Sequence, residues 1–169
     1  MKRSRGLKRL AESFKNAASG IISCIRYEQN FRIHIVAAVF IFIFARVFGL
    51  ERAEWATLIL TVFLVIICEA LNTAMEFCVD LVTDEYREYA KLAKDIAAGA
   101  VFCSAVAAVV VAGVLFGDID RILYTIKVFA EFPNVIGAVI FLALGFMFVF
   151  FAGDDKNDGG GTPTRKRKK

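Results

Sequence analysis

Three acidic side chains and one amide stand toward the end of a long apolar stretch. Glu69, Asn72, Glu76 and Asp80 follow one another at steps of three, four and four residues, which places them on one helix face. A carboxylate at membrane depth costs at least about 2.5 kcal/mol, so its presence is by default a functional hypothesis. Carboxylates also repel one another at low dielectric unless a positive group lies between them. The stripe therefore predicts a site for a cation or a charged ligand, rather than contacts between helices or a water-facing patch.

Further polar groups lie at the ends of other apolar stretches. Lys94 and Asp95 open the third stretch, and Glu28 lies just before the first. Two interpretations of Lys94 and Asp95 stay open: they share a site with Glu76, or Asp95 complements a helix N-terminus while Lys94 extends to the interface. His34 is expected to be a hydrogen-bonded interfacial residue rather than a ligand.

These residue types suit phosphoryl transfer with a bound magnesium ion. Mg²⁺ takes one or two carboxylates and completes its shell with water and substrate phosphates. Phosphoryl transfer needs a metal at the nucleotide phosphates, a cation, and a base near the acceptor hydroxyl. The glycines at 159–161 are not a phosphate-binding loop, because neither a strand nor a helix frames them.

Four apolar stretches must position these groups. About 20 apolar residues cross a bilayer, and the candidate spans are residues 33–50, 55–82, 96–116 and 135–151. Residues 7–29 place apolar and basic side chains at helical spacing, which predicts an amphipathic helix at the membrane surface. Residues 118–131 resemble that pattern more weakly.

Composition indicates the class of protein, and the placement of charge indicates its orientation in the membrane. A chain that is 58% hydrophobic and 22% charged is too apolar for a soluble enzyme of this size. Seventeen of the 21 lysines and arginines lie before the first span, between spans two and three, or in the tail, which predicts cytoplasmic termini. The basic tail is expected to orient the protein or contact anionic lipids, not nucleic acid. The four cysteines are predicted to be small buried residues rather than a disulfide framework or zinc site.

Two segments resemble the signature of the small integral-membrane diacylglycerol kinase family of bacteria. They are residues 69–76 (EALNTAME) followed by Val79-Asp80, and residues 93–101 (AKDIAAGAV). The likeness covers roughly residues 7–117. Other local features are similar to the Gram-positive branch, whose members mainly phosphorylate undecaprenol. These are Ser13-Phe14-Lys15 with Gly20-Ile21, Asn30-Phe31-Arg32-Ile33-His34, and Glu54-Trp55.

The resemblance implies a fold and a set of residue roles. The fold would be an all-α integral membrane protein, a three-span bundle with a surface helix that forms a homotrimer with sites between protomers. This chain would add one C-terminal span. Glu69 would be the catalytic base, Asn72 would position it, and Glu28 and Glu76 would hold the Mg²⁺ that bridges the ATP phosphates. The groups expected around the nucleotide are Lys94, Asp95, Glu85, Tyr86, Arg87 and Arg9.

We therefore expect residues 1–117 to form a membrane lipid kinase domain, residues 118–152 an external loop and extra span, and residues 153–169 a disordered basic tail. The expected reaction is ATP-dependent phosphorylation of a membrane lipid alcohol, with undecaprenol favoured, at the cytoplasmic face of the bacterial cell membrane. Diacylglycerol is the alternative acceptor. A non-enzymatic transporter or assembly subunit, using the acidic stripe as a cation site, is the alternative from another class. The uniformly apolar fourth span is expected to supply no catalytic group.

Overall fold

A computed structural model describes residues 2–82, 88–131 and 133–153. Within these ranges the chain is helical and contains no strand. The helices are α1 (Lys2–Tyr27), α2 (Gln29–Phe48), α3 (Arg52–Val82), α4 (Glu88–Leu115), α5 (Ile119–Ala130) and α6 (Asn134–Phe151). Glu85, Tyr86 and Arg87 lie outside the described residues, as does the predicted tail from residue 154 onward.

Four of the described helices, α2, α3, α4 and α6, are long and apolar enough to cross a membrane. This confirms the prediction of an all-α membrane protein with one span beyond three. The helices extend past the apolar stretches because their polar flanks continue the helical backbone. For example, α4 begins at Glu88, although the apolar stretch begins only at residue 96. The proposed division of the chain near residue 117 stays a prediction.

The turn between α2 and α3 depends on a glycine. Gly49 has a φ of 81° and a ψ of 51°, a left-handed conformation that glycine adopts without the steric cost of a Cβ. Its N–H donates to the carbonyl of Ala45 at 3.0 Å. Just beyond the turn, the Glu51 N–H donates to Glu54 Oε2 at 2.7 Å, which stabilises the first turn of α3. The two spans are thereby joined in a tight hairpin.

The buried apolar core lies at this end of the bundle. It consists of Ala45, Phe48, Leu50, Leu58 and Phe116. The ring of Phe116 meets the rings of Phe44 and Phe48 edge-on, with centroids 5.3 and 5.0 Å apart, which is a favoured aromatic geometry. Leu58 precedes Glu69 by 11 residues of α3, about 16 Å along the helix axis. The packed core and the acidic stripe are therefore separated along the bundle.

A short helix, α5, covers the turn. Arg121 donates from Nη2 to the carbonyl of Gly49 at 2.6 Å, and its guanidinium lies 4.4 Å from the centroid of the Phe48 ring. The Asp118 side chain accepts from the Arg121 N–H at 3.0 Å and caps the helix. A helix is thus present where the sequence predicts a second amphipathic segment.

The extra span, α6, packs against α2. Gly145 is buried, and a Cβ there would lie 3.0 Å from Val36 Cγ1, so the absence of a side chain at Gly145 makes room for Val36. Further along the same helix pair, the rings of Phe40 and Phe141 have centroids 6.4 Å apart. The fourth span is therefore part of the bundle.

Gly49→Ala should lower the free energy of unfolding by about 1–2 kcal/mol, because a Cβ strains the left-handed backbone. SDS titration followed by the fluorescence of Trp55, which packs near Phe42, measures this change. The matched control is Gly113→Ala, at a helical glycine with no atom within 4 Å of an added Cβ. This control should not destabilise the protein. Equal stability of the two variants would contradict the assigned role of Gly49.

Candidate active site

The corner between α1 and α2 presents an acidic side chain to the bundle. The chain leaves helical geometry at Glu28, whose φ of −115° and ψ of 112° are extended. Glu28 is the N-cap of α2, but its side chain makes no capping hydrogen bond to the described first turn of that helix. Its charge acts instead on Glu69 of α3. The ring of Tyr27 packs edge-on against Phe77, with centroids 6.1 Å apart, so the corner rests on α3.

The stripe on α3 supplies the remaining acids. Glu69 and Thr73 are each 2% exposed, and Glu76 lies within electrostatic range of Glu69. Asn72 Nδ2 donates to Glu76 Oε1 at 3.2 Å, and Thr73 Oγ1 donates to the Glu69 carbonyl at 3.0 Å. The predicted residues Glu28, Glu69, Asn72 and Glu76 therefore lie together. We call these four residues the acidic cluster.

The donor set of the acidic cluster fits a magnesium ion. Asn72 Oδ1 is buried and accepts no hydrogen bond from the described residues, which leaves an oxygen available as a ligand. No group of three or more His, Cys, Asp or Glu side chains in the described ranges is placed to enclose a metal. Mg²⁺ does not require one, because it is usually held by one or two carboxylates together with substrate phosphates and water.

Cys24, which the sequence marks only as a small buried residue, belongs to the same site. It is 8% exposed and lies one helical turn before Glu28. Burial raises the pKa of the Cys24 thiol; the carboxylates of Glu28 and Glu69 raise it further, against a hydrogen bond with Thr73 that lowers it. The i to i+4 spacing of Cys24 and Glu28 was the signal that could have indicated this. The prediction that the cysteines are buried is wrong for Cys78 and Cys103, which are exposed, and Cys68 is only partly buried.

The predicted nucleotide groups lie around the cluster rather than within it. Lys94 Nζ bonds to Asp80 Oδ1 at 2.6 Å, which joins α4 to the last turns of α3. Asp95 is exposed and lines an open pocket with Glu88, Tyr89, Lys91 and Leu92. Arg9 is exposed on α1, 15 residues before Cys24 and so about 22 Å away along the helix. In one chain, then, the structure places Arg9 far from the acids.

The role of Arg32 also escaped prediction, because one of its hydrogen-bond acceptors is distant in sequence. Arg32 is 6% exposed and donates to backbone carbonyls of α1 and α6. A buried charge needs such partners, but nothing in the spacing of the sequence indicates that residue 149 supplies one.

Comparison with known proteins decides the family. The family described as prokaryotic diacylglycerol kinase matches residues 15–116, which is more than half of the chain. The chain belongs to this family. Membership confirms the resemblance stated from the sequence and the class of enzyme that it implied, a lipid kinase.

Individual relatives in the family carry two names. A diacylglycerol kinase of Synechocystis is 47% identical over 107 residues, which cover 63% of this chain and 61% of the relative. An undecaprenol kinase of Bacillus subtilis is 39% identical over 110 residues, covering 65% of this chain and 89% of the relative. A diacylglycerol kinase of Haemophilus influenzae is 31% identical over 119 residues, which cover 70% of this chain and 98% of the relative. No solved structure matches the chain significantly.

The environment of Cys24 predicts slow alkylation in the folded protein. A raised pKa lowers the thiolate fraction at any pH below it, and the thiolate is the reacting form. In a variant with Cys68, Cys78 and Cys103 replaced by alanine, the iodoacetamide rate should therefore rise with pH along a curve displaced to higher pH than that of the same chain unfolded in denaturant. Coincident curves would contradict the placement of Cys24 beside the acids.

Proposed function

We propose that the protein transfers the γ-phosphoryl group of ATP to the hydroxyl of a membrane lipid alcohol, at the cytoplasmic face of the bacterial plasma membrane. The observation that carries the proposal is the convergence of Glu28, Glu69 and Glu76 beside Asn72, in a member of the prokaryotic diacylglycerol kinase family. Like charges this close favour a positive partner, and Mg²⁺ with a nucleotide is the partner that a kinase supplies.

Each residue of the cluster has a role set by its chemistry. Glu69 is the base that takes the proton from the lipid hydroxyl, and Asn72 orients the site from the adjacent turn. Glu28 and Glu76 hold the magnesium ion. When bound, the ion neutralises charge on the ATP phosphates. Because Glu28 comes from a different helix, the metal position depends on how the α1–α2 corner rests on α3.

The nucleotide is held from α4 and from the α3–α4 connection. Lys94 is the cation for the phosphates, and Asp95 binds beside it. Both side chains of the Lys94–Asp80 ion pair are exposed to solvent, so replacing this ion pair with a contact between Lys94 and a phosphate costs little free energy. Glu85, Tyr86, Arg87 and Arg9 surround the adenosine part in this proposal.

An apolar cavity supports a lipid acceptor. It has a volume of about 380 Å³ between α2, α3 and α4. Its lining includes Val65 and Ile66, which lie about one helical turn before Glu69. A lipid whose hydroxyl meets Glu69 can therefore lay apolar chain along this surface, with His34 and Thr61 as polar neighbours.

Undecaprenol is the favoured acceptor, and diacylglycerol is the second candidate. The Bacillus subtilis relative is named an undecaprenol kinase, and the local features at residues 13–15, 30–34 and 54–55 are similar to that branch. The name of the Synechocystis relative, at higher identity, supports diacylglycerol. An aliphatic cavity accepts either kind of chain.

A homotrimer with sites shared between protomers completes the proposal. In the single chain, 6% of the most apolar window of α4 is buried, so the helix offers most of its surface to lipid or to a neighbouring copy. The small residues at 97–100 permit close approach of another helix. A copy packed there would bring Lys94 and Asp95 toward the acidic cluster of its neighbour.

The purified full-length protein should consume ATP only when a lipid alcohol is added. With equal mole fractions in the same detergent, kcat/KM should be at least about tenfold higher for undecaprenol than for diacylglycerol, a difference within the range of apolar substrate contacts. Preference for diacylglycerol would overturn the choice of lipid. ATP use that neither lipid stimulates would overturn the kinase proposal.

Two isosteric variants separate the roles of the acids. Glu69→Gln should lower kcat by about 10²- to 10⁴-fold, the usual contribution of a general base, and leave Mg·ATP binding nearly unchanged. Glu76→Gln should abolish turnover and weaken Mg·ATP binding, because the amide keeps the volume but loses the charge. Glu131→Gln, at an exposed acid beyond α5, is the control. Equal loss of nucleotide affinity at positions 69 and 76 would refute this division of roles.

A further inference from the structure

The Arg32 side chain joins the ends of two helices. Its Nη1 donates to the carbonyls of Ile25 at 2.7 Å and Arg26 at 3.3 Å, and its Nε donates to the carbonyl of Val149 at 2.9 Å. The first two carbonyls belong to the last turn of α1, and the third belongs to the last turn of α6. Helix C-termini carry partial negative charge and unpaired carbonyls, so both ends attract a guanidinium.

These contacts replace hydrogen bonds that each helix loses where it ends. The Cys24 carbonyl still accepts from the Glu28 N–H at 2.9 Å, and the Phe148 carbonyl accepts from the Ala152 N–H at 3.3 Å. The carbonyls that follow lie past the last helical donors, and Arg32 supplies donors to them. The planar guanidinium has donors in a fixed arrangement, so the two helix ends cannot move apart without breaking bonds.

Of the two helix ends that Arg32 binds, the end of α1 leads directly into Glu28. The backbone is extended at residue 28, between the capped carbonyls of Ile25 and Arg26 and the start of α2. Whatever fixes the end of α1 therefore fixes the direction in which the Glu28 side chain leaves the backbone.

We propose that the fourth span positions Glu28 through Arg32: α6 holds the guanidinium at Val149, and the guanidinium holds the α1–α2 corner. Arg32 is a positioning residue and α6 supports it, although neither touches the reacting atoms. The role of Glu28 as metal ligand rests on the proposed function, whereas the mechanical link between α6 and the corner does not.

Gly153 allows this link to be broken from the α6 side. A Cβ on Gly153 would lie 2.6 Å from Arg32 Nη2 and 2.7 Å from Cζ, closer than Cβ atoms approach non-bonded neighbours. Gly153→Ala should therefore push the flexible guanidinium away from its acceptors. Gly137→Ala, within α6 and with no atom within 4 Å of an added Cβ, is the control.

The first measurement needs neither metal nor nucleotide. In the full-length variant that keeps Cys24 as its one cysteine, the alkylation rate of Cys24 at a fixed pH reports opening of the corner. Gly153→Ala should raise this rate about tenfold, equal to about 1.4 kcal/mol of opening free energy. Gly137→Ala should leave the rate at that of the parent. Equal rates in the two variants would overturn the proposal.

The second measurement tests whether the link reaches the site. Gly153→Ala should raise KM for Mg·ATP severalfold and leave KM for the lipid unchanged. In a chain that already carries Glu28→Gln, Gly153→Ala should cause no further rise in KM for Mg·ATP. If Glu28→Gln alone leaves KM for Mg·ATP unchanged, the metal role of Glu28 fails and the alkylation rates alone decide the link. If Glu28→Gln raises KM but Gly153→Ala does not, positioning through Arg32 is refuted. If Gly153→Ala does not fold, Arg32→Lys takes its place, because lysine keeps the charge but lacks the planar guanidinium. It must then raise both the alkylation rate of Cys24 and KM for Mg·ATP.

Discussion

The constraint on which the molecule depends is the enclosure of like charges. Glu69 is almost fully buried, and the charges of Glu28 and Glu76 both act on it. Such an arrangement is unfavourable in the protein alone and becomes favourable when a cation and its ligand enter. In the proposed function, the same property that destabilises the empty cluster would favour binding of Mg·ATP. A nonpolar replacement of one of these acids would weaken this repulsion and, in the proposed function, the attraction for the cation.

The rest of the bundle separates this destabilised site from the elements that hold the fold together. Aromatic packing around Phe116, the left-handed turn at Gly49 and the contacts of Arg121 all lie at the opposite end. The acidic end is joined by polar links, which are the hydrogen bonds of Arg32 to two helix ends and the exposed ion pair of Lys94 with Asp80. Surface ion pairs of this kind contribute little to stability. The apolar core thus lies at the end of the bundle away from the acids.

The sequence predicts the spans and the acidic face because both depend on short-range periodicity. A step of three or four residues is enough to place Glu69, Asn72 and Glu76 on one side of α3, and the length of the apolar stretches is enough to indicate four spans. The position of Glu28 just before the first span and the resemblance both indicated that it lies near these acids, whereas periodicity does not extend across the break at residue 28. The burial of Cys24 beside the acids and the partners of Arg32 were not predicted. Both depend on which helix ends meet, and that is decided by packing among elements far apart in the chain.

The fourth span shows how an element without catalytic groups can still matter to a site. The family match ends at residue 116, yet Arg32, inside the match, takes one of its acceptors from residue 149. A guanidinium that is 6% exposed has little water to supply a missing partner, so loss of that acceptor leaves a buried donor unsatisfied. The close approach of Gly145 to Val36 keeps α6 beside α2, where its last turn can reach Arg32. The packing of α6 against α2 and the conformation of the corner that bears Glu28 are therefore linked, and the hydrogen bond that links them uses a backbone carbonyl of α6.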